Sequence, residues 1–311
     1  MDLALLTVVL VRVFLVVTML SIGLRLVDDR PVTVRRDARL IAGLLVGNLL
    51  LVPAVGVGIA ALAGLGGAVA IAFMAVVVAP AGSLAPKLVQ VARGDLPVGV
   101  AATFGLSVIA TVTVAPSLAI GEQLLGMDAA TSPIDPMSVI ASLAIFQLVP
   151  MLLGLVLAHR APAPAGRVVG PLTAASTVLI AVIVAVAVAD TADELTGLGV
   201  MPVIAMAAIV LAAGAIGWIT GGSEDGVRRA SLIVTAQRSP GLALLVVAGP
   251  GHAVETATVA TFALVLLVVN SVIALGLHRG WSTARVVRRD RLGPVSGSSV
   301  SAERARDGVD A

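Results

Sequence analysis

Three charged side chains sit inside apolar stretches of this 311-residue chain: Arg12, Lys87 and Arg238. Lys87 is the sole lysine among 20 basic residues. It follows directly on Pro80-Ala81-Gly82-Ser83-Leu84-Ala85-Pro86, and Arg238 lies inside Gln237-Arg238-Ser239-Pro240-Gly241. Proline removes a backbone donor and breaks a helix. A half-helix that stops there ends in about half an elementary negative charge. A cation placed at such a break can therefore do three things. It can neutralise the helix ends in place of a bound cation. It can contact an anionic substrate. Lys87 could also release a proton, because burial and a neighbouring cation both lower a lysine pKa. All three readings stay open at this level. Ser83, Gln237, Ser239, Thr103 and Asn48 are the polar residues expected to line the same region, with Pro80, Pro86 and Pro240 opening the breaks. Arg12 fits a substrate role or an ordinary buried partner for backbone carbonyls.

The chemistry that is missing narrows the field. The apolar stretches hold no Asp or Glu, so a sodium or proton site built on acidic residues is not expected. With no cysteine there is no disulfide framework, zinc-thiolate site or thiol nucleophile. His159, His252 and His278 fall at the ends of the apolar stretches. No metal site, cofactor or catalytic constellation is expected, and an enzyme is disfavoured.

The elements that must position these residues follow from composition. Hydrophobic residues make up 59% of the chain, charged residues 12%, and mean hydropathy is +1.09. A soluble domain has about 25% charged residues. The partner is a lipid bilayer, and the pI near 10.3 does not signal nucleic acid. A helix needs about 20 apolar residues to span a bilayer. Nine segments meet that need, at about 3–26, 38–62, 67–93, 97–120, 137–158, 168–189, 198–219, 228–249 and 255–277. They make residues 1–282 an all-α polytopic membrane domain. Residues 283–311 read as a disordered cytoplasmic tail. Gly43, Gly47, Gly56 and Gly58 are expected to serve close helix packing.

Numbering the loops alternately puts 17 of the 20 basic residues on one side and none on the other. The positive-inside rule then places the N-terminus outside and the C-terminus in the cytoplasm. Arginine-rich, Ala/Val-heavy usage suggests a prokaryotic inner membrane. The interrupted segments, 67–93 and 228–249, are each the third of a four-helix run. The runs start five helices apart and so have opposite polarity, an inverted repeat over about 3–120 and 137–278. Interrupted helices at matching places in inverted halves point to a transporter binding site.

At these residues the chain resembles the bile acid:sodium symporter family. Met19-Leu20-Ser21-Ile22-Gly23-Leu24 is similar to the family's second helix. Ala79-Pro80-Ala81-Gly82-Ser83 is similar to its first break. Arg93-Gly94-Asp95 is similar to the Gly-Asp that closes that helix, and Gln237 to Leu244 to its second break. The resemblance runs over about residues 8 to 278. It implies a sodium/proton antiporter-like fold with two crossed discontinuous helices. The core domain would hold 38–62, 67–93, 97–120, 198–219, 228–249 and 255–277, and the panel domain the other three segments, with the family's first helix missing. The departures are specific. Where the family offers a Ser-Asn pair to sodium, this chain has Ala85 and Pro86, then Lys87. Thr103 is retained, while a second hydroxyl position falls on Gly99. The sodium-binding glutamate falls on Ile233, and Arg238 follows the retained Gln237.

The expectation is a secondary active transporter of a small organic anion, working by alternating access, with Lys87 and Arg238 as built-in cations in place of sodium. A sodium-coupled symporter of bile-acid type and a membrane receptor or scaffold that binds without carrying are the alternatives. The oligomeric state is left open.

Overall fold

The computed structural model describes residues 3–26, 38–80, 82–127, 135–190, 197–247 and 252–292. Among these residues the chain is entirely helical. The helices are α1 (Leu3–Arg25), α2 (Ala38–Leu62), α3 (Gly67–Val78), α4 (Ala85–Val91), α5 (Leu96–Leu124), α6 (Pro136–Arg160), α7 (Pro162–Asp190), α8 (Val200–Thr220), α9 (Asp225–Ala236), α10 (Pro240–Val247) and α11 (Ala253–Leu292). Eight stretches of the described residues are long and apolar enough to cross a membrane, α9 and α10 together forming one of them. The segment expected at 67–93 is not one long helix. It is the short apolar α3 followed by α4, because the breaker-rich run between them cannot continue a helix.

Two boundaries differ from expectation. α7 starts at Pro162 rather than near 168, because a proline at the first helical position costs no hydrogen bond. α11 runs on to Leu292, past the expected boundary at 282, and stops where Gly293 and Pro294 follow. Residues 293–311 of the expected tail lie outside the described residues, as do Ala81, Asp128, Asp193 and Glu194.

The helices associate in two groups. α1 packs chiefly on α6 and α7. The second group gathers α3, α5, α8 and α11 around the broken helices, with α2 against α3 and α8. α10 also touches α1, so the groups meet at the second break. The first group rests on bare backbone. A Cβ at Gly23 of α1 would overlap the Met151 carbonyl oxygen, and one at Gly154 of α6 would overlap that of Leu20. Gly43 and Gly56 likewise leave no room against Thr220 and Val77, and Gly47 packs tightly on Ile216, whereas Gly58 meets nothing within 4 Å. Gly23→Ala is therefore expected to cost about 1–3 kcal/mol, a drop of several degrees in Tm. Gly58→Ala should leave Tm unchanged in the same thermal melt. Equal melting of the two variants would remove the close α1–α6 contact from the account.

Asp135 caps α6 by accepting from the Ser138 hydroxyl at 2.5 Å and from the backbone amides of Ser138 and Met137. These bonds, the Ser138 hydroxyl first, hold its carboxyl below the usual carboxylate range. At the other end of the molecule, Arg93 takes a left-handed φ of 55° and Gly94 returns its N–H to the Val89 carbonyl. Asp95 then caps α5 through the Val98 amide and gives its own N–H to the Gly226 carbonyl, 2.9 Å away, at the start of α9. The Arg93-Gly94-Asp95 turn thus ties the first broken helix to the second.

Candidate functional site

The two breaks bond to each other. α3 ends at Val78, and Ala79 turns extended. α9 ends at Ala236, and Gln237 turns extended. The Gly82 N–H donates to the Gln237 carbonyl at 2.9 Å, and the Ser239 N–H donates to the Ala79 carbonyl at 3.0 Å. Freed backbone groups inside a membrane must find partners, and here each break supplies the other's. Gly82 is required at this point, since a Cβ there would overlap the Arg238 carbonyl oxygen. Ser239 caps the next half-helix, its Oγ accepting from the Leu242 amide at 3.4 Å.

Arg238 is 1% exposed. Its guanidinium donates through Nη2 to the Val77 carbonyl at 2.5 Å, and through Nη1 to the Thr235 carbonyl at 3.4 Å and Asn48 Oδ1 at 2.8 Å. Val77 and Thr235 are the next-to-last residues of α3 and α9, in the last turn where each half-helix concentrates negative charge. Asn48 reaches them because Gly47–Leu51 is a turn of π-helix inside α2. Its Nδ2 donates to the Leu44 carbonyl at 3.0 Å and to Thr235 Oγ1 at 3.1 Å. A second π-turn, Ala144–Leu148 in α6, similarly inserts Gln147, whose Nε2 donates to the Ser107 carbonyl at 2.6 Å.

Lys87 is placed differently. It is exposed, on the wall shared by two adjoining cavities. One, of about 190 Å³, is the more polar of the two and reaches Arg25 at the end of α1 and Leu96 at the start of α5. The other, of about 560 Å³, is mostly apolar and runs between α7 and α11 to the second break. Ser83, Thr177 and Ile180 are also common to both. Among the described residues no carboxylate pairs with Lys87.

Of the residues expected at one site, Lys87, Ser83, Gln237, Ser239 and Pro240 line the larger cavity, and Pro86 joins Lys87 and Ser83 in the smaller. Gln237 is held there by Asn270, whose Nδ2 donates to Gln237 Oε1 at 2.9 Å. Arg238 and Asn48 are buried behind the paired breaks instead. Thr103 is fully buried, and its hydroxyl donates to the Gly99 carbonyl of its own helix at 2.8 Å. Pro80 follows the end of α3 and lines neither of the two cavities. Arg12 is exposed on α1, with its guanidinium carbon 5.2 Å from the centre of the Phe146 ring. Residues 18, 21, 25 and 173 were not anticipated in the cavity wall. Their signal was present: Thr18, Ser21 and Arg25 share one face of α1 at spacings of three and four, as do Thr173, Ser176 and Thr177 on α7. Among the described residues no group of three His, Asp or Glu could hold a metal ion.

No curated protein sequence matches this chain. The model of the family described as Sodium Bile acid symporter family matches residues 12–198, from α1 through the first break and on to the start of α8. The match ends before the second break but takes in more than half of the chain. Proteins of this family are secondary transporters spanning the membrane many times, not enzymes. With the family model matched over more than half of its length, the chain belongs to the sodium bile acid symporter family.

Proposed function

We propose that this transporter moves a small organic anion by alternating access, with Lys87 meeting the anion and Arg238 standing in place of a coupling cation. The observation that carries the reading is the position of Lys87, a positive charge on the wall common to both cavities with no carboxylate paired to it among the described residues. Arg238 takes the other role, because it joins both half-helix ends, as a bound cation would. The inverted repeat and the crossed helices belong to this proposal. So does a core of α2–α5 and α8–α11 working against a panel of α1, α6 and α7. The cavity reaches the ends that carry Arg25 and the turn at Arg93. With the N-terminus outside, that end faces the cytoplasm of a prokaryotic cell, and the cavity is inward-facing.

The test is thermal unfolding of the purified protein in NaCl and in KCl, with and without organic anions. A ligand that binds only the folded state stabilises it by about 2.7 kcal/mol at 100 times its Kd. The expected result is stabilisation by an anion that is equal in the two salts. A shift specific to sodium would overturn the role given to Arg238. One feature favours sodium coupling as the second reading: Asn270 Oδ1 is a buried hard oxygen beside Gln237, without a hydrogen-bond partner among the described residues. The same salt comparison decides between the two.

A further inference from the structure

The smaller cavity is lined by a second cation besides Lys87, Arg25. Arg25 ends α1, half-buried, and its Nη2 donates to Thr173 Oγ1 of α7 at 2.7 Å, while Thr173 Oγ1 shares a 3.0 Å hydrogen bond with Ser21 Oγ. This network holds the guanidinium in place but uses one of its five N–H groups. No carboxylate pairs with Arg25 among the described residues. Two turns deeper on α1, Thr18 lines the same cavity, 3% exposed, with its hydroxyl lacking a partner among the described residues. A cavity of about 190 Å³ thus presents an ammonium from one helix group, a guanidinium from the other and a buried hydroxyl without a partner.

We infer that this cavity is a head-group site for a doubly charged anion, so that the transporter prefers cargo with two acidic groups over the same body bearing one. The inference rests on Lys87 being the anion contact proposed above and adds Arg25 as the residue that sets the preference. Two cations on one cavity wall, with no carboxylate paired to either among the described residues, repel each other, and a dianion removes that repulsion where a monoanion removes it only in part. The apolar body of the cargo enters the adjoining 560 Å³ cavity, which meets the head-group site at Lys87. Such a dianion also bridges α4 to α1 and α7, so binding would draw together the two helix groups that must move against each other.

The test uses two acids that share a phenyl body, phenylsuccinate with two carboxylates and 3-phenylpropionate with one. Binding to the purified full-length protein is titrated at neutral pH by calorimetry. One additional charge-assisted contact corresponds to about tenfold in affinity. The wild type is expected to bind phenylsuccinate about tenfold more tightly, and Arg25→Gln to bring the ratio near one. Arg25→Lys should restore the preference, which separates loss of charge from loss of fold. A ratio near one in the wild type, with Lys87→Met weakening both acids, overturns the dianion site and leaves the proposed function standing. A preference that persists in folded Arg25→Gln does the same. Lys87→Met binding both acids as the wild type does overturns the proposed function itself. Binding of neither acid by the wild type overturns both.

Discussion

Replacing Arg238 by methionine is expected to destabilise the protein by about 4 kcal/mol and to lower Tm by more than any other single change considered. The guanidinium is 1% exposed and serves three acceptors at once, Asn48 Oδ1 and the Val77 and Thr235 carbonyls. Methionine fills much of the volume but donates nothing. Each buried acceptor left without a partner costs about 1–3 kcal/mol. Removing the charge recovers some of the cost of burying it, which is why the loss is not larger. Arg238→Lys keeps the charge without the planar fork, so it should fall between wild type and methionine, losing about 2 kcal/mol. Adding Asn48→Leu to Arg238→Met should recover part of the loss, because replacing both partners by apolar groups is far cheaper than orphaning one. Thermal or denaturant unfolding in detergent measures all three. If Arg238→Met melts within a degree or two of wild type, Arg238 is not the group that holds the half-helix ends.

Lys87→Met should give the opposite pattern, intact fold and lost transport. The side chain is exposed on a cavity wall and makes no ion pair among the described residues. Substitutions of that kind usually change stability by less than about 0.5 kcal/mol. A hydrogen bond to a charged group is worth about 1.5–3 kcal/mol, so uptake of an anion by proteoliposomes, read as kcat/KM, should fall about 10- to 100-fold. Lys87→Arg should keep part of it, because the charge remains where the cargo meets it. Unchanged uptake by a folded Lys87→Met protein would remove Lys87 from the transport path. Run together, the two substitutions test whether Lys87 and Arg238 have separate jobs: Arg238→Met acts on Tm first, and Lys87→Met on uptake.

That division was not legible in the chain. Lys87 and Arg238 look alike in sequence, each beside a Pro-Gly break in an apolar run, and depth in the membrane is all that the run specifies. Arg238 follows an extended residue, where the 3.6-residue period that assigns a side chain to a helix face no longer applies. Its direction was decided by the tertiary pairing of the breaks, which turns it away from the cavity and onto Val77, Thr235 and Asn48. Asn48 could not be placed either, since the π-turn Gly47–Leu51 shifts the register of α2. Arg25 read as a loop charge at the end of a span, and only the approach of α7 makes it part of a cavity wall.

What the sequence determined by itself is whatever depends on local composition. Long apolar runs must become spanning helices because unpaired backbone is too costly in lipid. Proline and glycine must interrupt two of them, and acidic residues fall only in the first or last turn of a span, as Glu122, Asp225 and Glu255 do, which limits what could bind at mid-depth. Tertiary structure alone decided which polar groups meet. Direction around a helix axis, and beyond a break, is set by the neighbour that satisfies each carbonyl and amide, and those neighbours lie up to 190 residues apart in the chain.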